Sequence, residues 1–195
     1  QTVREFVGDI EQESERLARI TENLLRLTRL DSGLLPEAQR VDLSPVVARV
    51  ARMLRLVAEE KKVDLSYEVR REGQTLASED EIHEIIYNLT ENAIKYNHPD
   101  GFVKLALAGD EDNCLLTVSD DGIGIPEEDM PRIFDRFYRV DKMRSRAAGG
   151  TGLGLSIAAD TARRRGGSIE VRAREGGGTV FTVHLPRCKE GGEER

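Results

Sequence analysis

Three short stretches carry residue types that could bind a nucleotide. Residues 88–92 place two asparagines four positions apart, residues 120–124 put aspartates before two glycines, and residues 149–155 form a glycine-rich turn before a helical pattern. Amides and carboxylates can meet a metal ion or a purine amine, and a glycine-rich turn at a helix start favours phosphate. Together the three stretches predict a pocket for ATP.

The first stretch predicts a magnesium ligand. Asn88 and Asn92 share one face of a helix, with Lys95 and Tyr96 on the next turn. Magnesium takes oxygen ligands and keeps several waters, so one amide oxygen with phosphate oxygens is a reasonable shell. Taken alone, the same amides could instead hydrogen-bond to backbone or water.

The second stretch predicts a contact to the base. Asp120 closes a strand pattern, where its carboxylate could accept a hydrogen bond from a purine exocyclic amine. Gly122 and Gly124 would let the base approach the backbone. Taken alone, Asp-Asp-Gly is also typical of a turn.

The third stretch predicts a phosphate contact at a helix N-terminus. Its N–H groups and the helix dipole favour an anion. It lacks the Gly-Lys-Ser/Thr ending of a Walker loop, and it does not follow the dinucleotide pattern of strand, GxGxxG and distant acid.

A basic segment precedes the third stretch. Phe137 and Arg139 are followed by Lys142, Arg144 and Arg146, and glycines close the segment. These residues could fold over a triphosphate as a mobile lid. An ordinary solvated loop is the alternative.

Composition bounds the function classes. The 195 residues carry a net charge of -7, which argues against nucleic-acid binding through bulk electrostatics. Cys114 and Cys188 are far apart without a CxxC, so both are predicted to be reduced and structural. No apolar run reaches the roughly 18 residues of a membrane span. Because the sequence opens inside a helical pattern, we expect a fragment whose upstream part is missing and could hold a membrane anchor.

The elements fall into an arm and a domain. Apolar residues from Phe6 to Leu27 follow a heptad seam, broken by Glu13, and the helix is expected to end near 31–33. Such a helix needs a partner helix. The predicted divisions are an arm at 1–33, a linker at 34–43, a nucleotide-binding domain at 44–188 and a disordered tail at 189–195.

The domain pattern predicts an α+β fold, a two-layer sandwich with a mixed sheet covered on one face by helices. Ser44 and Pro45 are predicted to start a helix, Ser78 and Glu81 to form a capping box, and 111–113 to connect a hairpin. The predicted helices are 44–61, a helix after Ser78 that carries Asn88 and Asn92, 127–134 and 155–165; the predicted strands are 64–69, 102–108, 114–118, 168–173 and 179–185.

The order of these motifs resembles the catalytic, ATP-binding domain of sensor histidine kinases, within the wider class of gyrase-type ATPases and heat-shock chaperones. Residues 88–96 resemble the family's N box, 120–124 its G1 box, 134–137 its F box and 150–155 its G2 box. The arm resembles the second helix of the family's dimerisation and histidine phosphotransfer domain. The resemblance implies ATP and Mg²⁺ as ligands, a homodimer through the arm, a response-regulator partner and a cytoplasmic location, with any membrane contact through upstream segments.

The resemblance also implies individual roles. Asn92 would ligate magnesium, Asp120 would read adenine with support from Thr179, and Asn88, Lys95 and Arg139 would act in catalysis near the phosphates. The predicted nucleotide-contacting residues are Asn88, Asn92, Lys95, Tyr96, Asp120, Gly122, Gly124, Ile125, Phe137, Arg139, Gly150, Thr151, Gly152, Leu153, Gly154, Leu155 and Thr179.

One departure from the family concerns the phosphoacceptor. The family's histidine is followed by an acid and Arg-Thr-Pro, and His83, His98 and His184 do not fit that pattern. The acceptor is therefore expected in a helix upstream of Gln1, and this fragment is not expected to phosphorylate itself by the usual route.

Three functions compete. A kinase would position the γ-phosphate for a histidine nitrogen. A gyrase- or chaperone-type clamp would need a water-activating Glu one turn before the metal-binding Asn, where Asn88 stands instead; Glu91 should point about 100° away from Asn92 around the helix. A non-catalytic module that oligomerises through the arm would leave the glycine clusters unexplained.

Overall fold

The computed structural model describes residues 36–140 and 151–188, together with ten residues between positions 6 and 28. Those ten are all helical, and the apolar ones among them are exposed. The expected arm end at 31–33, the basic residues Lys142, Arg144 and Arg146, the glycines Gly149 and Gly150, and the 189–195 tail lie outside the described residues.

Seven strands and three helices make up the described part of the domain. A short 3₁₀ turn also occurs at Met130–Arg132. The bounds are β1 Gln39–Asp42, α1 Leu43–Glu60, β2 Asp64–Val69, β3 Gln74–Ala77, α2 Glu79–Lys95, β4 Phe102–Gly109, β5 Asn113–Asp120, α3 Gly154–Arg164, β6 Ser168–Ala173 and β7 Thr179–Pro186.

The main sheet has five strands in the order β2-β4-β5-β7-β6. β2 pairs with β4 in parallel, and the other neighbours are antiparallel. A separate ladder joins β1 to β3. The sheet is therefore mixed, as the sequence predicted.

All three helices cover one face of this sheet. Side chains along β4 and β5 alternate between buried and half-buried, which is the period of a sheet packed on one side. Val103, Leu105 and Leu107 of β4 share a core with Leu54 of α1 and Leu89 of α2. The predicted two-layer α+β fold is confirmed.

The predicted linker was too long. Its residues Gln39–Asp42 form β1, and Leu43 is a buried core residue, so this part of 34–43 belongs to the domain. The first helix is capped by Asp42, whose Oδ1 accepts a hydrogen bond from the Ser44 N–H at 2.9 Å, and not by Ser44. Pro45 is compatible with a helix that starts at Leu43, because the N–H groups of the first turn have no acceptor within the helix. A proline is tolerated throughout that turn, so its position alone does not show at which residue the helix starts.

Two other predictions are corrected. Only Met130–Arg132 of the predicted helix 127–134 is helical, as a 3₁₀ turn. The hairpin connection is 110–112, since Asn113 already belongs to β5. Asp110 closes this turn by accepting the Asp112 and Asn113 N–H groups with its side chain.

The capping box that opens α2 is confirmed. The Ser78 Oγ accepts the Glu81 N–H at 3.2 Å, and Glu81 Oε2 accepts the Ser78 N–H at 2.7 Å. Three acidic residues in the first turn further favour the positive end of the helix dipole. The cap fixes the start of the helix that carries Asn88 and Asn92.

We expect Ser78→Ala to lower the free energy of unfolding by about 1 kcal/mol, because it removes one side of this reciprocal cap. Urea denaturation followed by circular dichroism would measure the change. Ser66→Ala, at an exposed position of β2, is the matched control and should change stability by less. Equal effects of the two substitutions would contradict a capping role.

Candidate nucleotide site

Asn88 and Asn92 lie on one face of α2, and both side chains are half-buried. Neither amide hydrogen-bonds to another described residue. Half-buried amides without a protein partner are costly unless water or a ligand satisfies them. The structure therefore does not support the alternative in which these amides bind neighbouring backbone.

Asn88 meets the start of α3. A Cβ placed on Gly154 would lie 2.9 Å from the Asn88 Oδ1, so only glycine lets the amide approach this closely. The two predicted stretches around Asn88 and Gly154, 66 positions apart in the sequence, therefore adjoin one another. The contact brings an amide side chain to the N-terminus of a helix.

The end of α2 meets the loop that follows β5. The Ile123 N–H donates to the Tyr96 carbonyl oxygen at 3.1 Å. A Cβ on Gly122 would lie 2.6 Å from the same oxygen, which explains the glycine there. This contact joins the first and second predicted stretches.

Asp120 ends β5 on the helix-covered face and is 5% exposed. Its Oδ1 accepts the Gly122 N–H at 2.9 Å and the Thr179 N–H at 3.3 Å. No hydrogen bond to Oδ2 comes from any described residue. One carboxylate oxygen is thus held by backbone, and the other can accept a donor from a ligand.

Burial raises the pKa of Asp120 above its usual value, and the two backbone hydrogen bonds and Arg174 offset only part of that shift. Asp121 raises the pKa further by like-charge repulsion. A buried carboxylate with a raised pKa, lying in a site lined by glycines, is typical of a functional position.

Gly178, between the predicted strands 168–173 and 179–185, was not among the predicted site residues. Its φ is +91°, and an added Cβ would lie 2.1 Å from the Asp120 carbonyl oxygen. The residue lets the β7 start lie against the end of β5, so the Thr179 N–H reaches Asp120. The run of three glycines was the available signal.

Asp121 and Asn97 were also missed. Asp121 Oδ1 accepts the Phe102 N–H at 2.7 Å, and the Asn97 Nδ2 donates to the Phe102 carbonyl oxygen at 2.9 Å. These side chains tie the end of α2 and the loop after β5 to the start of β4. They hold the backbone on which Asp120 stands.

The N-terminus of α3 suits an anion. Its first turn holds no acidic residue, whereas Arg163 and Arg164 lie in the last turn. The Thr151 Oγ1 accepts the Leu153 N–H at 3.3 Å, which orients the turn before the helix. Orphan N–H groups of the first turn, beginning with those of Gly154 and Leu155, remain to meet phosphate.

Phe137 and Gly152 contact one another. The Phe137 N–H donates to the Gly152 carbonyl oxygen at 2.9 Å, and both residues have positive φ, +65° and +75°. A left-handed conformation is uncommon for phenylalanine and costs strain. The Phe137 side chain is 58% exposed, so it projects away from the core.

Arg139 follows on the same segment. Its Nε is buried yet finds no hydrogen-bond acceptor among the described residues. A guanidinium donor without a protein acceptor suits an anionic ligand. Lys95 lies at the end of α2, with its Nζ 5.4 Å from the Tyr96 ring centroid, and Ile125 packs against the core.

The three histidines serve other contacts. His83 stacks on Tyr87, and His184 lies on β7 with its Nε2 3.6 Å from Glu170. The ring nitrogens of His98 lie 3.1 Å from the Pro99 carbonyl oxygen and 3.0 Å from that of Asp121, and these hydrogen bonds raise its pKa.

The site offers few metal ligands of its own. The described residues contain no group of three or more His, Cys, Asp or Glu side chains able to hold a metal ion. A metal bound beside Asn92 would take most of its ligands from phosphate and water, which is how magnesium is usually held. Among the same residues, no helix has both the length and the apolar composition of a bilayer span.

Comparisons with known proteins point to one family. A family model described as "Histidine kinase-, DNA gyrase B-, and HSP90-like ATPase" matches residues 77–189. The sensor-like histidine kinase SenX3 of Mycolicibacterium smegmatis is 36% identical over 186 residues, which cover 95% of this chain and 48% of SenX3. The sensor histidine kinase WalK of Bacillus subtilis is 34% identical over 194 residues, with 95% and 31% covered.

A solved structure gives the same result for the fold. The crystal structure of full-length ShkA in complex with AMPPNP superposes with a TM-score of 0.82 at 25% identity, covering 97% of this chain and 40% of ShkA. The chain thus spans less than half the length of each of these three relatives.

Proposed function

Because the chain belongs to the family of histidine kinase-, DNA gyrase B- and HSP90-like ATPases, we propose that its domain is the ATP-binding core of a sensor histidine kinase. It binds ATP and transfers the γ-phosphate to a histidine on a helix upstream of Gln1. The observation that carries the proposal is the meeting of the motifs: Asn88 against Gly154, Tyr96 bonded to Ile123, and Asp120 bonded to Thr179.

Adenine binds at Asp120 in this proposal. The free Oδ2 accepts the exocyclic amine, while Oδ1 stays with the Gly122 and Thr179 N–H groups. The glycines at 122 and 124 leave room for the flat base beside the backbone. The buried setting strengthens a hydrogen bond to the carboxylate, since no water competes there.

The triphosphate extends from Asp120 toward Asn88 and the α3 N-terminus. The amides of residues 152–155, Lys95 and Arg139 contact phosphate oxygens, and Asn92 holds magnesium. Thr151 belongs to the same turn, and Gly150 precedes it in the sequence. Magnesium supplies charge neutralisation at the phosphate oxygens. The protein's own contribution is to hold the γ-phosphate in line with the attacking histidine nitrogen and to stabilise its negative charge.

The contacts of Glu91 favour a kinase over an ATP-hydrolysing clamp. The Tyr87 hydroxyl donates to Glu91 Oε1 at 3.3 Å, on the helix face that also carries His83. Glu91 is therefore held one residue, about 100°, away from Asn92. Asn88, which stands where a clamp would need its base, has an amide that cannot take a proton from water at neutral pH.

The partners follow from this reaction class. We propose that the phosphoryl group passes from the histidine to an aspartate of a response-regulator protein, and that the exposed apolar seam of the arm pairs in a homodimer. The domain acts in the cytoplasm, and any membrane contact comes from segments outside this chain. Nothing in the acidic composition favours nucleic acid as a partner.

A trans-phosphorylation assay tests the proposal. The chain is mixed with a separately expressed upstream helix bearing the histidine and with γ-labelled ATP and Mg²⁺. We expect label on the helix that is lost in acid and kept in base, as expected for phosphohistidine. Rapid release of inorganic phosphate without labelled protein would instead establish the clamp reaction.

We expect Arg139→Ala to lower the transfer rate at saturating ATP about 100-fold, because a preorganised donor to the transferring group is lost. ADP affinity should change little, since ADP lacks the γ-phosphate. Rapid-quench measurements and calorimetry give the two quantities. Arg163→Ala removes an equal charge on α3, where Arg163 pairs with Asp160 on the exposed surface, and should leave both unchanged. A parallel loss of ADP binding in Arg139→Ala would refute the assignment.

A further inference from the structure

Arg165 makes a buried contact between α2 and α3, the two helices that carry predicted nucleotide-site residues. The contact lies at the end of α3, whereas the proposed phosphate site lies at its start. It follows the last residue of α3, and its side chain is 8% exposed. Its Nε donates to Glu81 Oε2 at 2.9 Å, and its Nη2 lies 2.6 Å from the same oxygen. Glu81 is 9% exposed and is the acidic member of the α2 capping box.

The same guanidinium also holds the chain that enters the domain. Its Nη2 donates to the Pro36 carbonyl oxygen at 2.9 Å. Pro36 lies 129 positions before Arg165 and follows the predicted arm in the sequence. One side chain at the end of α3 therefore bonds to the start of α2 and to the segment that follows the predicted arm in the sequence.

Both helices carry nucleotide-site residues at a distance from this contact. α2 places Asn88 two turns after Glu81, and α3 places Gly154 at its other end, against Asn88. The two helices are antiparallel neighbours, because Glu81 near the start of α2 contacts Arg165 at the end of α3, whereas Asn88 further along α2 contacts Gly154 at the start of α3. Charge-assisted hydrogen bonds such as these are shorter and stronger than neutral ones, so they favour one placement of the groups that they join.

We propose that Arg165 is a positioning residue for histidine phosphorylation, which anchors the arm's connection to the two helices that hold ATP. The inference rests on the proposed kinase function. Transfer to a histidine on a separate helical segment depends on where the γ-phosphate lies relative to that segment, and misplacement by about 1 Å can lower a rate 100-fold. The Pro36 contact restrains that placement without touching the nucleotide.

The informative variant removes both charges. Arg165→Gln alone would leave Glu81 ionised and unpaired in a buried place, so loss of folding would obscure the result. The Glu81→Gln, Arg165→Gln double variant is neutral, and the amide oxygen introduced by Glu81→Gln can still accept the Ser78 N–H of the capping box. Glu81→Gln alone removes the counter-charge of Arg165, but its amide oxygen can still accept the Arg165 Nε–H, and the guanidinium keeps its bond to the Pro36 carbonyl. Its melting temperature shows whether the unpaired guanidinium lowers stability, and Arg163→Gln controls for loss of a cation on α3.

The experiment uses the full-length protein with its own acceptor histidine. For the double variant we expect autophosphorylation at saturating ATP to fall about tenfold or more, with the KM for ATP and the melting temperature close to those of the wild type. Glu81→Gln and Arg163→Gln should keep most of the rate, and Arg165→Lys should restore part of it. An unchanged rate in the double variant, or a rise in KM that accounts for the loss, would overturn the inference.

A second measurement separates this inference from the kinase proposal. Spin labels at positions 14 and 168, in protein whose two cysteines are replaced, report the distance between arm and domain by electron resonance. We expect a broader distribution of arm-to-domain distances in the double variant, even if the wild type transfers no phosphate from ATP to a histidine. A wild type that phosphorylates no histidine would refute only the proposed kinase function. An unchanged distance distribution in the double variant would refute only the positioning role of Arg165.

Discussion

Replacing Asn92 with alanine should remove the magnesium dependence of nucleotide binding. Asn92 is half-buried and its amide bonds to no other described residue, so the substitution leaves neighbouring hydrogen bonds intact. The site has no cluster of acidic ligands among the described residues to take over the metal. We therefore expect ATP affinity in the presence of Mg²⁺ to fall by about 10- to 100-fold, since loss of a group that merely orients a metal ligand already has an effect of this size. Calorimetry at several Mg²⁺ concentrations would measure this.

Glu91→Gln is the matched control for Asn92→Ala. Glu91 lies next to Asn92 in the sequence but is bonded to Tyr87 on another helix face. We expect its removal to leave magnesium-dependent binding and phosphate transfer unchanged. Wild-type magnesium dependence in Asn92→Ala would refute the ligand role. Loss of ATP turnover in Glu91→Gln would identify Glu91 as a water-activating base and favour the clamp.

Local signals made much of the fold predictable from sequence. β2 and β6 have the predicted bounds because alternating residues and flanking turns define them within the segment itself. The capping box at Ser78 and Glu81 is likewise a local pattern of four residues. Because the predicted strands and helices do not alternate strictly along the sequence, a mixed sheet covered on one face by helices could be predicted without knowledge of any contact.

Non-local signals were not predictable in the same way. β1 and β3 have four residues each and are strands because they pair with one another across 38 positions, from Gln39 to Ala77. No periodicity over four residues distinguishes that pairing from a linker. The cap at Asp42 was missed because Ser44-Pro45 is an equally good local signal for the start of a helix. In the structure Leu43 is buried and already helical, which places the cap at Asp42.

The residues of the nucleotide site likewise divide into those with a local signal and those that depend on non-local contacts. Asn88, Asp120 and Gly154 could be identified because each lies in a motif with its own chemistry. Gly178 lies in a visible run of glycines, but its role could not be identified because it depends on a backbone 58 positions earlier, at the Asp120 carbonyl. The Arg165 contact to Pro36 spans 129 positions and has no sequence motif at all. Motifs therefore indicate which groups meet a ligand, whereas the structure identifies which residues hold those groups in place.

Replacing Asp120 with asparagine should separate stability from nucleotide recognition. Burial raises the pKa of Asp120 in the folded protein. A raised carboxyl pKa means that ionisation is easier in the unfolded chain, so the folded state loses stability as the pH rises from the usual aspartate value through the raised one. At pH 7 the wild type carries this cost and the variant does not. We expect the nucleotide-free variant to be as stable as the wild type or more stable, with a flatter pH dependence in the acid range.

Recognition should change in the opposite direction. In the variant the amide oxygen can keep the Gly122 and Thr179 N–H groups, which places an NH₂ donor where the free Oδ2 of Asp120 stands. That donor would face the amine donor of adenine, so ATP affinity should fall about 100-fold. GTP, which carries a carbonyl oxygen at the corresponding ring position, should lose much less. Calorimetry with both nucleotides, beside thermal melts from acid to neutral pH, measures the two effects. If Asp120→Asn bound ATP as the wild type does, the adenine would have to be read elsewhere. If it unfolded without nucleotide, the expected relief of the burial cost would be refuted.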